Sequence, residues 1–236
     1  MRMCRLRLRV PASAGLLLGL ALAASAQSGV HPVSGRRFAP VMGIGGAPWL
    51  DRAERESEED PEQALDAVEV KKGSTVADVG AGSGYFTVRL AARVGEAGRV
   101  FAIDLQPAML DLLRVRLTER HVTNVTLIQG AVDDPKLPPS SIDLVLLVDV
   151  YHEFSAPQLM LQRIREALKP NGRLALLEYR KEDPTVPIRP EHKMSVAEAK
   201  AELEAERFHL ERVDERLPRQ HILIFRREAV AQRPGP

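Results

Sequence analysis

Residues 76–86 read V-A-D-V-G-A-G-S-G-Y-F. Val76, Ala77, Asp78 and Val79 run straight into Gly80, Gly82 and Gly84, and an amphipathic stretch follows. A short apolar run carrying one acid is a buried strand. Glycines at alternate positions let the backbone turn tightly and come close to a ligand. The next residues open a helix, so the stretch predicts a strand, a turn and a helix N-terminus, the arrangement that cradles a nucleotide-like ligand. A dinucleotide turn asks for G-x-G-x-x-G around a pyrophosphate, but Tyr85 occupies the third glycine's place. No G-K-[ST] follows either, which excludes a phosphate loop.

Outward from this stretch, strand and helix patterns alternate. The helix after the glycines stops at Gly95, residues 99–104 form a second strand ending in Asp104, and Pro107 starts a helix with Met109, Leu110, Leu113 and Leu117 on one face. Residues 124–129 are a third strand. Residues 142–150 are a fourth, apolar except for Asp143 and Asp149. Ser155–Gln158 has the form of a capping box opening a helix that ends near 169–172, and 173–179 is a fifth strand. Ser195–Glu198 caps another helix, with 208–213 and 221–225 as the final strands. Upstream, residues 27–47 are an aperiodic arm rich in Gly, Pro and Ser, and Trp49 begins a short helical stretch. Asp60-Pro61 is an N-cap with proline at the first helical position. The charged run Arg52–Glu59 reads as a solvated helix face. Continuous apolar strands separated by amphipathic helices predict an α/β fold: a Rossmann-like, doubly wound sheet covered on both faces over 48–226. The last two strands suggest a hairpin adding an antiparallel strand at one edge. Residues 227–236 read as a disordered tail.

The first 26 residues stand apart. Arg2, Arg5, Arg7 and Arg9 precede an apolar run over 12–24, and Ala24-Ser25-Ala26 offers an A-x-A site before Gln27. That is the layout of a signal peptide, too short to span a bilayer comfortably, and it predicts an exported domain, periplasmic or secreted. The alternative is a start further downstream, for instance at Met42, with the domain in the cytoplasm. Those four arginines turn the overall charge of +1 into −3 for the remainder. A mildly acidic domain without a basic stripe does not suit a long nucleic acid. The single cysteine, Cys4, lies in the leading segment, so thiol chemistry and a disulfide framework are excluded from the domain. No closely spaced histidine pair supports a metal site.

In a parallel sheet the ligand lies beyond the carboxyl ends of the strands, which directs attention to a few residues. Asp104 ends the second strand, where an acid can accept both hydroxyls of a ribose. Asp133 follows the third strand in the run D-D-P-K-L-P, placed either to accept from an adenine amine or simply to form the turn. The fourth strand ends in Asp149-Val150-Tyr151-His152-Glu153-Phe154 and the fifth in Glu178-Tyr179-Arg180, an unusual density of titratable and aromatic groups. Pro190–Met194 forms another wall. Trp49 is either a lid over the ligand or core packing.

Taken together, the glycine turn, Asp104, the D-D-P-K-L-P turn and the run I-D-L-V-L-L-V-D-V before a helix resemble class I S-adenosylmethionine-dependent methyltransferases. The likeness is strongest to the ubiquinone and menaquinone branch. The resemblance implies seven strands with the last antiparallel, and S-adenosylmethionine as methyl donor to a small-molecule acceptor. It also implies that Gly80, Gly82 and Gly84 pass beneath the donor's methionine portion and that Asp78 orients the turn. Asp104 is then expected to hold the ribose, Asp133 or its neighbour the adenine, and Asp149 the donor's amino group. If the acceptor must lose a proton, His152 is the base candidate because its ordinary pKa lies nearest neutrality. Glu153 or Glu178 would orient it, and Tyr151 would flank the acceptor. Two other readings share the fold: a binding protein without an acceptor, which has no need of a loaded strand end, and a nicotinamide-dependent oxidoreductase, disfavoured by Tyr85.

Overall fold

A computed structural model of the chain describes residues 29–228. The leading segment 1–26 and the end of the tail lie outside the described residues. Seven strands form one sheet: β1 (Thr75–Val79), β2 (Arg99–Asp104), β3 (Val125–Gln129), β4 (Ile142–Val148), β5 (Leu168–Tyr179), β6 (Phe208–Asp214) and β7 (Gln220–Arg227), in the order β3-β2-β1-β4-β5-β7-β6. The first five strands are parallel, while β7 is antiparallel to both β5 and β6.

The last two strands form the expected antiparallel hairpin at one edge of the sheet, with β7 on its inner side. β7 inserts between β5 and β6 and leaves β6 at the rim. The reason is visible in the side chains. His221–Phe225 is buried on both faces, whereas β6 alternates buried or half-buried with exposed positions, as a strand flanked on one side does.

Both faces of the sheet are covered. Helices α1 (Pro61–Ala67), α2 (Tyr85–Val94) and α3 (Pro107–Glu119) lie on one face, over Val76, Val100, Ala102, Leu144 and Leu146. Helices α4 (Pro157–Ala167) and α5 (Val196–Ala205) lie on the other, over Ala77, Val145, Leu147 and Leu176. Neighbouring residues of β1 and β4 thus bury into opposite layers, and their runs are apolar but for Thr75, Asp78 and Asp143. Asp60 accepts a hydrogen bond from the Gln63 amide at 3.1 Å to cap α1, and Ser195 with Glu198 closes a full capping box on α5. α4 starts one residue later than the box at Ser155 implied, with Ala156 as N-cap and Pro157 at its first position.

The arm before the first helices crosses the carboxyl end of the sheet. The Arg36 guanidinium pairs with buried Glu202 of α5 at 2.8 and 3.0 Å and donates to the His152 carbonyl at 2.9 Å. The Ala39 amide donates to the same carbonyl at 3.1 Å, and Met42 is held between Glu153 and Gln106. This strap fixes one wall of the cavity described next.

Candidate active site

At the carboxyl ends of β1, β2 and β4 the structure opens a cavity of about 460 Å³. Its floor is the glycine turn. The amides of Gly80 and Ala81 both donate to the Ile103 carbonyl (2.8 and 2.9 Å), and the Gly82 amide donates to Asp104 Oδ2 at 2.8 Å. Asp104 Oδ1 accepts the Gln106 amide at 2.8 Å. Each carboxylate oxygen keeps a further lone pair for a ligand. Burial pushes the Asp104 carboxyl above its ordinary range, against the pull of those amides.

Gly80, Gly82, Asp104, Asp149, His152 and Glu153 all line the cavity. Asp78, Gly84, Asp133 and Tyr151 do not. Asp78 is buried beneath the turn and accepts the Thr87 hydroxyl at 2.6 Å, which ties β1 to the first turn of α2. Gly84 faces Leu113 of α3 and serves packing. Gly130, Ala131 and Val132 line the wall where Asp133 was expected. Tyr151 is fully buried in the core, edge-on to Phe154 at 5.5 Å, with the Arg36 guanidinium 5.3 Å from its ring centre. The reason is a change of period: Tyr151–Glu153 is a 3-10 turn, so adjacent residues no longer alternate as they do in a strand.

Burial pushes the Asp78 carboxyl up to about 6, with Thr87 opposing and Asp104 reinforcing. A carboxyl raised in the fold stabilises while it is protonated, and that stability is lost as pH rises through about 6. Asp78→Asn should therefore gain stability relative to the parent as pH rises from 4 to 7, by up to about 3 kcal/mol. Denaturant unfolding at both pH values measures this, and a difference that does not change with pH would overturn the assignment.

Asp149 directly follows β4, in the left-handed region at φ 51°. Its Oδ2 accepts Gln220 Nε2 at 2.6 Å, while buried Oδ1 has no hydrogen-bond partner among the described residues. Burial, followed by the charges of Glu59 and Glu178, raises its pKa well above the ordinary value. Behind it, Glu59 is held by Arg55 (2.6 Å), Arg52 (3.0 Å) and the Tyr179 hydroxyl (2.8 Å). The run 52–59 is thus not wholly solvated, as its composition suggested: Arg55 and Glu59 are buried. Arg55 and Tyr179 line the cavity. Trp49 lines it too but stays partly exposed, with the Arg52 guanidinium 3.8 Å from a ring centre.

His152 is buried, and its Nδ1 lies 2.6 Å from Glu178 Oε2. Between the two carboxylates proposed to orient His152, the geometry selects Glu178. The facing carboxylate assigns the proton to Nδ1. Burial pulls the His152 pKa down, but Glu178 outweighs it and the net shift is upward. Glu153 accepts the Met42 amide at 3.2 Å, and burial pushes its carboxyl up to about 7. His192, in the turn Pro190–His192, places Nδ1 3.1 Å from His152 Nε2. Burial and then the charge of His152 lower its pKa. The sequence marked this loop as a wall, but the 40-residue separation hid the pairing. His152, Glu153 and His192 also offer ligand atoms within 4.8 Å of one another, an arrangement that the sequence reading did not anticipate.

The site's residues fit S-adenosylmethionine. A buried carboxylate oxygen without a partner suits an ammonium group, Asp104 suits a ribose, and the bare backbone at Gly82 admits close approach.

A family model described as a methyltransferase domain matches residues 70–220. The ubiquinone/menaquinone biosynthesis C-methyltransferase of Azotobacter vinelandii is 31% identical over 113 residues, which is 48% of this chain and 45% of that protein. The protein of the same name from Enterobacter sp. (strain 638) is 30% identical over 118 residues, 50% of this chain and 47% of its own length. The chain thus spans about half the length of these curated relatives. The crystal structure of a SAM-dependent methyltransferase from Aquifex aeolicus superposes with a TM-score of 0.75 at 28% identity, covering 78% of this chain and 98% of that one.

Proposed function

Because the chain belongs to the methyltransferase-domain family, we propose that it transfers a methyl group from S-adenosylmethionine to a small, largely apolar acceptor. The observation that carries this reading is one cavity lined both by the glycine turn with Asp104 and Asp149, which suit the donor, and by His152, whose ring is backed by Glu178. We assign the first group to a donor end and His152 to an acceptor end. When bound, S-adenosylmethionine supplies an electrophilic methyl group on a sulfonium whose departure needs no acid.

The chain's own residues then do three things. Asp104 accepts the ribose hydroxyls and Asp149 Oδ1 accepts from the amino group. Ile103, Met109 and Val132 give the adenine an apolar wall. Met42, Phe154, Met160 and Ile188 exclude water from the acceptor end, so that orientation and desolvation supply most of the rate. His152, held by Glu178, receives at Nε2 the proton that the acceptor must lose. Gly84 and Asp78 support the turn from outside the cavity, and Tyr151 supports the 149–154 turn from the core.

Calorimetry on the full chain tests the donor. S-adenosylmethionine and S-adenosylhomocysteine should each bind at one per chain and NAD should not bind. Binding of NAD, or of neither sulfur ligand, would overturn the reading. Transfer of labelled methyl to a panel of acceptors then separates an enzyme from a binder.

Among the described residues no helix is long and apolar enough to cross a membrane. For the leading segment the proposal is export, with cleavage after Ala26. The native protein should be found outside the cytoplasm with Gln27 at its N-terminus; an intact upstream N-terminus in the cytosol would remove that proposal.

A further inference from the structure

We propose that His152, Glu153 and His192 form a binding site for a divalent transition metal at the acceptor end of the cavity. Their ligand atoms lie within 4.8 Å of one another, and all three residues line the cavity. His152 Nε2 and His192 Nδ1 are 3.1 Å apart. Two imidazole nitrogens bound to one tetrahedral zinc at ~2.05 Å are ~3.3 Å apart, so the rings need to separate by only a few tenths of an ångström.

The hydrogen bonding around the three groups has the pattern of a metal site. Glu178 accepts a hydrogen bond from His152 Nδ1–H at 2.6 Å, which leaves the Nε2 lone pair facing His192. A carboxylate behind a ligating histidine is the usual outer support of such sites, fixing both tautomer and ring orientation. Glu153 supplies the anionic ligand, and its Oε1 is held in place by the Met42 amide. Two imidazoles and one carboxylate suit zinc, cobalt or iron(II) better than magnesium or calcium, which prefer an all-oxygen shell. Three protein ligands leave a fourth position open to the cavity, the arrangement of a catalytic rather than a structural site.

Such an ion ties the Pro190–His192 turn to the end of β4, two segments that His152 and His192 bring together. An acceptor oxygen or nitrogen can take the open position, which selects acceptors with a hydroxyl or amine. With the ion bound, the Nε2 lone pair is committed to it and takes no proton; a coordinated acceptor would lose its proton to solvent, and the imidazole route belongs to the metal-free site. The proposal goes beyond methyl transfer and is read with metal alone, so its failure leaves the donor result untouched.

The full chain, stripped with a chelator, is titrated with Zn²⁺ by indicator competition and with Co²⁺ by its visible absorption. One equivalent should bind, and Co²⁺ should give the intense spectrum of a four- or five-coordinate site. His192→Ala should weaken Zn²⁺ binding by ~100-fold or more, and Glu178→Gln by ~10–100-fold. His209→Ala, which removes an exposed histidine on β6, should leave binding unchanged. Glu153→Gln keeps the side chain's shape and removes the anionic ligand, so it provides a second test if His192→Ala melts early. Absence of stoichiometric binding overturns the proposal, as does binding that survives both His192→Ala and Glu153→Gln.

Discussion

Replacing His152 by asparagine should lower turnover by about 10²–10⁴-fold while moving the donor's Kd by less than about tenfold. Asparagine keeps an N–H near the place of Nδ1, so it can still donate to Glu178. It has nothing at the place of Nε2. Alanine is the harsher change, because Oε2 of buried Glu178 then faces an empty space and only the 3.4 Å contact from the residue 152 amide to Oε1 remains, and breaking a buried charged pair costs up to about 3–5 kcal/mol. With asparagine, loss of turnover reports the missing ring edge rather than a collapsed site. In this proposal the glycine turn, Asp104 and Asp149 hold the donor, and the hydrogen bonds that fix Gly82 and Asp104 do not run through His152. Single-turnover rates and donor calorimetry on the same preparation make the comparison. Equal losses in rate and in donor affinity would remove His152 from the proton-accepting role and return it to a structural one.

The glycine-turn side of the cavity was more legible in the sequence than the side formed by residues 149–154 and 190–192, for a physical reason. Gly80, Gly82 and Asp104 are set by contiguous strand–turn patterns, and their neighbours in space are β-ladder partners that topology alone supplies. Asp149 and His152 were legible as a loaded strand end. Tyr151 was read wrongly with them because the chain leaves the strand for a 3-10 turn at that point, and the inward-outward alternation stops. Glu59 and Arg55 were hidden by their composition. A run of eight mostly charged residues reads as solvated until Tyr179, from the end of β5, closes over it. His192 reaches His152 only through the loop after β5, and no spacing rule carries a contact across 40 residues. The place of β7, in contrast, was recoverable: I-L-I-F is apolar on both faces, whereas F-H-L-E-R-V-D carries polar residues at His209, Glu211, Arg212 and Asp214, so the rim strand of the pair is the first of the two.

Two glycines of one turn should fail in different ways when given a methyl group. Gly84 sits at φ 90°, and a Cβ there would overlap Leu113 Cδ1, part of a fully buried side chain in α3. The left-handed backbone costs an alanine about 1–2 kcal/mol. Forcing a packed leucine aside adds about 1–3 kcal/mol. A domain of this size loses about 2–4 °C per kcal/mol, so Gly84→Ala should melt about 5–15 °C lower. Because Gly84 does not line the cavity, the donor affinity of the molecules that remain folded should change little. Gly82 sits at φ 55°, where its added Cβ would meet only Leu50 Cδ1, at 2.9 Å, the end of a side chain at the cavity's edge. Gly82→Ala should therefore cost little beyond the backbone penalty, about 1–2 kcal/mol. Its methyl group, however, enters the space where the backbone must approach the donor, and donor affinity should fall by ~10-fold or more. Thermal unfolding and donor calorimetry on both variants give four values. The assignment stands only if the larger stability loss belongs to Gly84→Ala and the larger affinity loss to Gly82→Ala, since a turn that merely tolerates glycine would show neither separation.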